Sequence, residues 1–137
     1  MWWMYALLAA FFAALTAIFA KVGVRNVDSD LATAIRTVII LVMVWAIVLA
    51  KGGAQGISGI SRYTLIFLIL SGLSTGLSWL FYFRALQVGK VSQVAPVDKL
   101  SVALVIILSV LFLGESLSWQ TAVGASLIIC GTLVIIL

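Results

Sequence analysis

Five long apolar runs, Trp2–Ala20, Leu31–Ala50, Tyr63–Leu86, Val94–Leu113 and Trp119–Leu137, occupy almost the whole of a 137-residue sequence. Each is close to the roughly 20 residues that a helix needs to cross a hydrocarbon core about 30 Å thick, at a rise of about 1.5 Å per residue. Apolar residues make up 65% of the chain and charged residues 9%, whereas a soluble domain carries roughly 25% charged residues. Too little polar sequence is left to cover a water-facing surface. The reading is an integral membrane protein of the cell membrane, in contact with the lipid bilayer. With no water in the bilayer core each span must satisfy its own backbone groups, so the spans are helices; the period-2 alternation of a membrane barrel is missing. The expected fold is an all-α bundle of five transmembrane helices, one domain over residues 1–137.

Five is an odd number, which puts the two termini on opposite faces of the membrane. A second copy joined in sequence would then run upside down. Inverted-repeat transporters have that geometry and bind solute between two opposed halves. The connections Lys21–Asp30, Lys51–Arg62, Gln87–Gln93 and Gly114–Ser118 are short, which makes neighbouring spans antiparallel; the glycines and serines of the second mark a flexible loop. One face holds the first and third loops and the C-terminus. Lys21, Arg25, Arg36, Arg84, Lys90 and Lys99 lie toward it, and Lys51 and Arg62 toward the other. Six against two would make the first face cytoplasmic. Setting aside Lys21, Arg36 and Lys99 as intrahelical leaves three against two, a balance compatible with insertion in both orientations.

Several functions lose their footing on composition. The first run lacks a basic n-region, is too long for a signal-peptide h-region and ends at Lys21 without a convincing cleavage site, so it reads as a helix of the mature protein. Cys130 is the single cysteine, which excludes an intrachain disulfide, and there is no histidine. No metal or cofactor is expected, and His-based catalysis is excluded. No nucleophile is paired with a base, so an enzyme is not expected. The +4 charge is scattered over loops and helix ends rather than gathered into a stripe, which argues against nucleic acid.

Ionisable residues inside a span usually face a water-filled cavity or a partner. Arg36 lies about 8 Å past the start of its helix at Leu31; it either faces such a cavity or snorkels back to the interface. In Val94-Ala95-Pro96-Val97-Asp98-Lys99, two readings stand side by side. Pro96 and Asp98 suit a first helical turn, where a missing N–H costs nothing and the dipole favours a carboxylate. Alternatively, Pro96 breaks the fourth helix and turns Asp98 and Lys99 toward the cavity. Adjacent residues project about 100° apart, so the expected partner of Asp98 is Arg36 or Lys21 rather than Lys99. On the third helix Ser71, Ser74, Thr75, Ser78, Trp79, Tyr82 and Gln87 form a polar stripe beside Gly72-xxx-Gly76. The stripe is either packing or a cavity wall, and Trp79 and Tyr82 are either ligand-lining or part of an interfacial belt. Trp2, Trp3 and Tyr5 read as interface anchors, and Glu115 as ordering the turn before the last helix. Gly124 and Gly131, seven apart, share one smooth face for close helix packing within or between subunits.

These residues also carry a family likeness. Phe19-Ala20-Lys21-Val22-Gly23, Ala34-Ile35-Arg36-Thr37, the stretch from Ser78-Trp79 through Tyr82 to Leu86, Val94 to Ser101, and Phe112-Leu113-Gly114-Glu115-Ser116-Leu117 follow one another in an order that resembles the EamA-type permeases of the drug/metabolite transporter superfamily. The chain is similar to the short form with a single five-helix domain. The resemblance implies one half of a ten-helix inverted-repeat transporter, hence a homodimer, antiparallel in geometry, moving small solutes by alternating access. The segment from Gly124 to Thr132 also resembles the dimer-contact motif of the small multidrug resistance family, which implies dimer contacts at Gly124 and Gly131. The first helix departs from that family: Ala13 stands where its proton-binding glutamate is expected.

The expectation is a small-solute permease whose pathway takes in Lys21, Arg36, Trp79, Tyr82, Asp98 and Lys99. The cations would suit a solute with a carboxylate or other anionic group, and Asp98, the embedded carboxylate, would serve proton coupling. The alternative is a non-transporting membrane subunit that binds a partner membrane protein.

Overall fold

A computed structural model describes residues 1–137. Its helices are α1 (Trp2–Gly23), α2 (Ser29–Ala50), α3 (Arg62–Val88), α4 (Val91–Asp98), α5 (Leu100–Leu113) and α6 (Trp119–Ile136), with a 3-10 helix at Gly53–Gly59. There are no strands. α4 and α5 follow each other through Lys99 as one membrane-length segment, Val91–Leu113, so five spans are long and apolar enough to cross a bilayer. No more than 11% of the apolar stretch of any span is buried within the chain. The rest of that surface is left for lipid or for a second chain.

Three of the helix starts, those of α2, α3 and α6, are set by short polar caps. Asp28 opens α2, its carboxylate accepting from the N–H groups of Asp30 (2.9 Å) and Leu31 (3.1 Å), so α2 begins at Ser29, two residues before the expected Leu31. Ser61 and Ser118 repeat one device. The Ser61 hydroxyl accepts from Thr64 N–H at 3.1 Å at the head of α3, and the Ser118 hydroxyl from Thr121 N–H at 3.1 Å at the head of α6. Each supplies an acceptor to an N–H that has no carbonyl one turn earlier. At its far end α5 stops on Gly114, whose φ of 67° is left-handed, while Glu115 donates its backbone N–H to Ser109 O at 3.3 Å. The turn that Glu115 was expected to order is thus closed through its backbone.

Two expectations are corrected. The loop Lys51–Arg62 was read as flexible; Gly53–Gly59 instead winds into a 3-10 helix entered through Gly52 at φ 69°. Tight i→i+3 turns tolerate small residues, and this stretch is mostly glycine, alanine and serine. The fourth span starts at Val91 rather than Val94, which places Pro96 inside the helix and not in its first turn. Proline removes the donor for the carbonyl four residues back and crowds it. The ladder changes three residues later: Lys99 N–H bonds Pro96 O and Val102 N–H bonds Lys99 O, each at 3.0 Å and each three residues apart. The span is interrupted at Lys99, the break that one of the two readings of Pro96 anticipated.

Two compact units emerge from the packing. One is Phe19–Gln87, whose buried residues are Ala20, Val24, Ser29, Thr33, Phe83 and Leu86. The other joins Met1–Ile18 to Val88–Leu137 and buries Ala17, Ala103 and Thr132. In the second of these α6 packs on α4 and α5, and the buried Thr132 hydroxyl lies 2.8 Å from Ile128 O of its own helix and 3.3 Å from Pro96 O.

Candidate functional site

Within Phe19–Gln87 the side chains of α2 and α3 assemble around Arg36. Its guanidinium carbon lies 4.3 Å from the centroid of the Trp79 ring and 5.0 Å from that of Phe83. Trp79 and Phe83 are four residues apart on α3, so they occupy one helix face, one turn apart. Phe83 is buried and Trp79 half-buried. A guanidinium is planar, so its faces stack on aromatic rings while its N–H groups stay in plane and free to bond. No hydrogen bond or ion pair within the chain engages those N–H groups. Tyr82 stands beside this cluster, its ring 6.4 Å from that of Phe83 in an edge-on contact, and close enough to the guanidinium for an electrostatic interaction. An arginine stacked on aromatic faces with open N–H edges is chemically suited to a carboxylate or another planar anion.

Lys21, also expected on the pathway, donates from Nζ to the backbone carbonyl of Leu86. Gln87 donates from Nε2 to Val27 O at 3.1 Å and Val24 O at 3.3 Å. Of the remaining polar stripe, Ser74 and Thr75 turn their hydroxyls back to the carbonyls of Leu70 and Ser71, each at 2.9 Å. In the middle of α3 these two hydroxyls are thus spent on the helix's own backbone.

In the other unit Asp98 and Lys99 pair with each other, Lys99 Nζ lying 3.2 Å from Asp98 Oδ2. The expectation that adjacency would keep them apart is overturned. Lys99 sits in the interruption between α4 and α5, and its four-carbon stem folds back over the angle that a regular helix would impose. Arg36 finds its neighbours in α3. Gly124 and Gly131 line α6, and a methyl group added at either would meet nothing of the chain within 4 Å.

Phe83 was the ring missed at the sequence level. Its signal was present, because a residue four beyond Trp79 shares that face, but a phenylalanine in an apolar run carries no polar mark. The buried Ser29 and Thr33 also escaped notice; Thr33 Oγ1 donates to Ser29 O at 2.8 Å inside α2.

Five helices long and apolar enough to cross a bilayer, with an arginine of α2 stacked on rings of α3, define a multi-pass membrane protein. The chain belongs to the EamA-like transporter family, which it matches over residues 1–137. It is 54% identical over 134 residues to a Sinorhizobium sp. protein named as an uncharacterized transporter in the cobO 3′ region, the match covering 98% of this chain and 95% of that one. No solved structure matches this chain. The family and the relative's name make it a membrane transporter.

Proposed function

We propose that the protein is a small-solute permease that works as a homodimer of inverted subunits, moving its solute by alternating access through a cavity between them. The observation that carries the reading is the Arg36 guanidinium stacked on Trp79 and Phe83 within a span, its N–H edges unengaged. A cation held in a membrane helix without a counter-ion is costly. An anionic group on the solute would supply that counter-ion in transit, and Tyr82 would line the same wall. Asp98 is the group for proton coupling: protonation would release Lys99 from its 3.2 Å pair. The bare surface around Gly124 and Gly131 supports a dimer contact there.

The test is thermal unfolding of the purified protein with amino acids, organic acids, amines and nucleosides. A ligand of the folded state stabilises by RT ln(1 + [L]/Kd), so weak ligands show at high concentration. Stabilisation by carboxylated solutes that disappears in Arg36→Ala is expected. Stabilisation unchanged in Arg36→Ala would remove Arg36 from the site, and no response to any class would favour a subunit that binds a partner protein.

A further inference from the structure

The last four carbonyls of a helix lack an intrahelical donor and carry the negative end of its dipole. α3 ends at Val88 with no basic residue in its own last turn. Leu86, whose carbonyl is among those four, is completely buried. Its donor comes from another helix: Lys21 Nζ, in the last turn of α1. The contact is returned. Gln87, in the last turn of α3, donates from Nε2 to Val27 O at 3.1 Å and Val24 O at 3.3 Å, carbonyls just past the end of α1 at Gly23. The terminal lysine of one helix thus serves the other, whose terminal glutamine serves the chain leaving the first. Val24 between them is 1% exposed.

We infer that Lys21 and Gln87 are positioning residues: their two-way clasp fixes the axial register of α3 against α1 and so holds the Trp79–Phe83 platform under Arg36. Phe83 precedes Leu86 by three residues and Trp79 precedes Phe83 by four, which stacks the rings on the capped end of the helix, one and two turns along. Slippage of α3 by one turn, about 5.4 Å, would withdraw both rings from the guanidinium. Lys21 therefore acts on the Arg36 site through α3, without touching the solute. The word "site" rests on the proposed function; the register does not.

Fluorine NMR of the full-length protein labelled with 5-fluorotryptophan reads the stacking directly, with the Trp79 signal assigned by Trp79→Phe and its unstacked position given by Arg36→Met. Lys21→Met is expected to shift the Trp79 signal toward that unstacked position, and Lys21→Arg, which keeps a cationic donor, to leave it in place. Gln87→Leu removes the return arm with the lysine intact and is expected to shift the signal in the same direction, so the test survives if Lys21→Met does not fold. A Trp79 signal unmoved by Gln87→Leu, or moved as far by Lys21→Arg as by Lys21→Met, would overturn the inference. Ligand-dependent unfolding of Arg36→Ala separates it from the solute reading. If the signal shifts as expected while Arg36→Ala keeps its ligand response, the register stands and the solute assignment falls.

Discussion

Arg36 stands at the centre of the proposed site because its faces and its edges are spent differently. The faces rest on Trp79 and Phe83, a cation–π contact worth about 0.5–2 kcal/mol depending on desolvation. The edges remain for a ligand, and a hydrogen bond to a charged group contributes about 1.5–3 kcal/mol. Arg36→Ala is therefore expected to weaken binding of a carboxylated solute roughly ten- to a hundredfold, at about 1.4 kcal/mol per tenfold, measured by titrating the ligand-induced rise in melting temperature. Trp79→Leu should cost less, since the charge stays and only its orientation is loosened. Arg36→Lys should behave more like the alanine variant than like the wild type, because an ammonium offers neither a stacking plane nor a two-pronged edge. Asp98→Asn tests coupling: transport into proteoliposomes is expected to lose its dependence on a proton gradient, and an unaltered dependence would take Asp98 out of that role. Arg36 and Asp98 could be picked out in the sequence because charges are scarce in apolar runs. Their partners could not, because a phenylalanine in such a run looks like every other apolar residue, and a lysine beside a helix break is free to fold back on its neighbour.

Among the elements, caps and breaks decide where each span begins and whether it is continuous. Asp28 is the sole side chain holding the first N–H groups of α2, and loss of such a cap costs about 1 kcal/mol. Asp28→Ala should lower the thermal stability of the detergent-solubilised protein by that order, measured by unfolding monitored at the tryptophans. The fourth span carries its defect at Pro96, with i→i+3 bonds across Lys99 where an unbroken α-helix would have i→i+4 bonds. Pro96→Ala restores an N–H at that position, so hydrogen exchange of the backbone amides from residue 96 to 102 is expected to slow; unchanged exchange would show that the interruption has another cause. The helix type of all five spans was legible in length and hydropathy, since a bilayer admits few alternatives. Two starts lie earlier than hydropathy places them: α2 by two residues, because its cap Asp28 sits in what looks like a loop, and α4 by three, after Lys90, whose side chain makes no capping bond. The 3-10 helix at Gly53–Gly59 was invisible for a related reason, as glycine and serine mark loops and tight turns alike.

For the whole molecule, the small share of each span buried within one chain leaves apolar surface that lipid or a second subunit must cover. At Gly131 a side chain has room in the single chain. Gly131→Leu should therefore spare the fold of the subunit while disrupting dimers, as seen by cross-linking in membranes; dimers that persist would place the interface elsewhere. Orientation belongs to the same scale. Lys21 caps α3, Arg36 stacks on rings and Lys99 pairs with Asp98 at the exposed break between α4 and α5, so each of these three cations has a partner within the chain. The loops and helix ends then carry Arg25, Arg84 and Lys90 toward one face against Lys51 and Arg62 toward the other, close to balance under the positive-inside rule. Reporters fused to the C-terminus are expected to be active on both sides of the membrane; activity on one side alone would refute a dual orientation. The sequence by itself determined the number of spans, their helical nature, the odd count and the scarce ionisable groups inside them, because the bilayer penalises every unsatisfied backbone group and every charge. Only the tertiary structure decided the pairings: Arg36 with Trp79 and Phe83, Lys21 with the end of α3, Asp98 with Lys99. Those depend on helix register and side-chain rotamers, which residues far apart in the chain fix only when they meet.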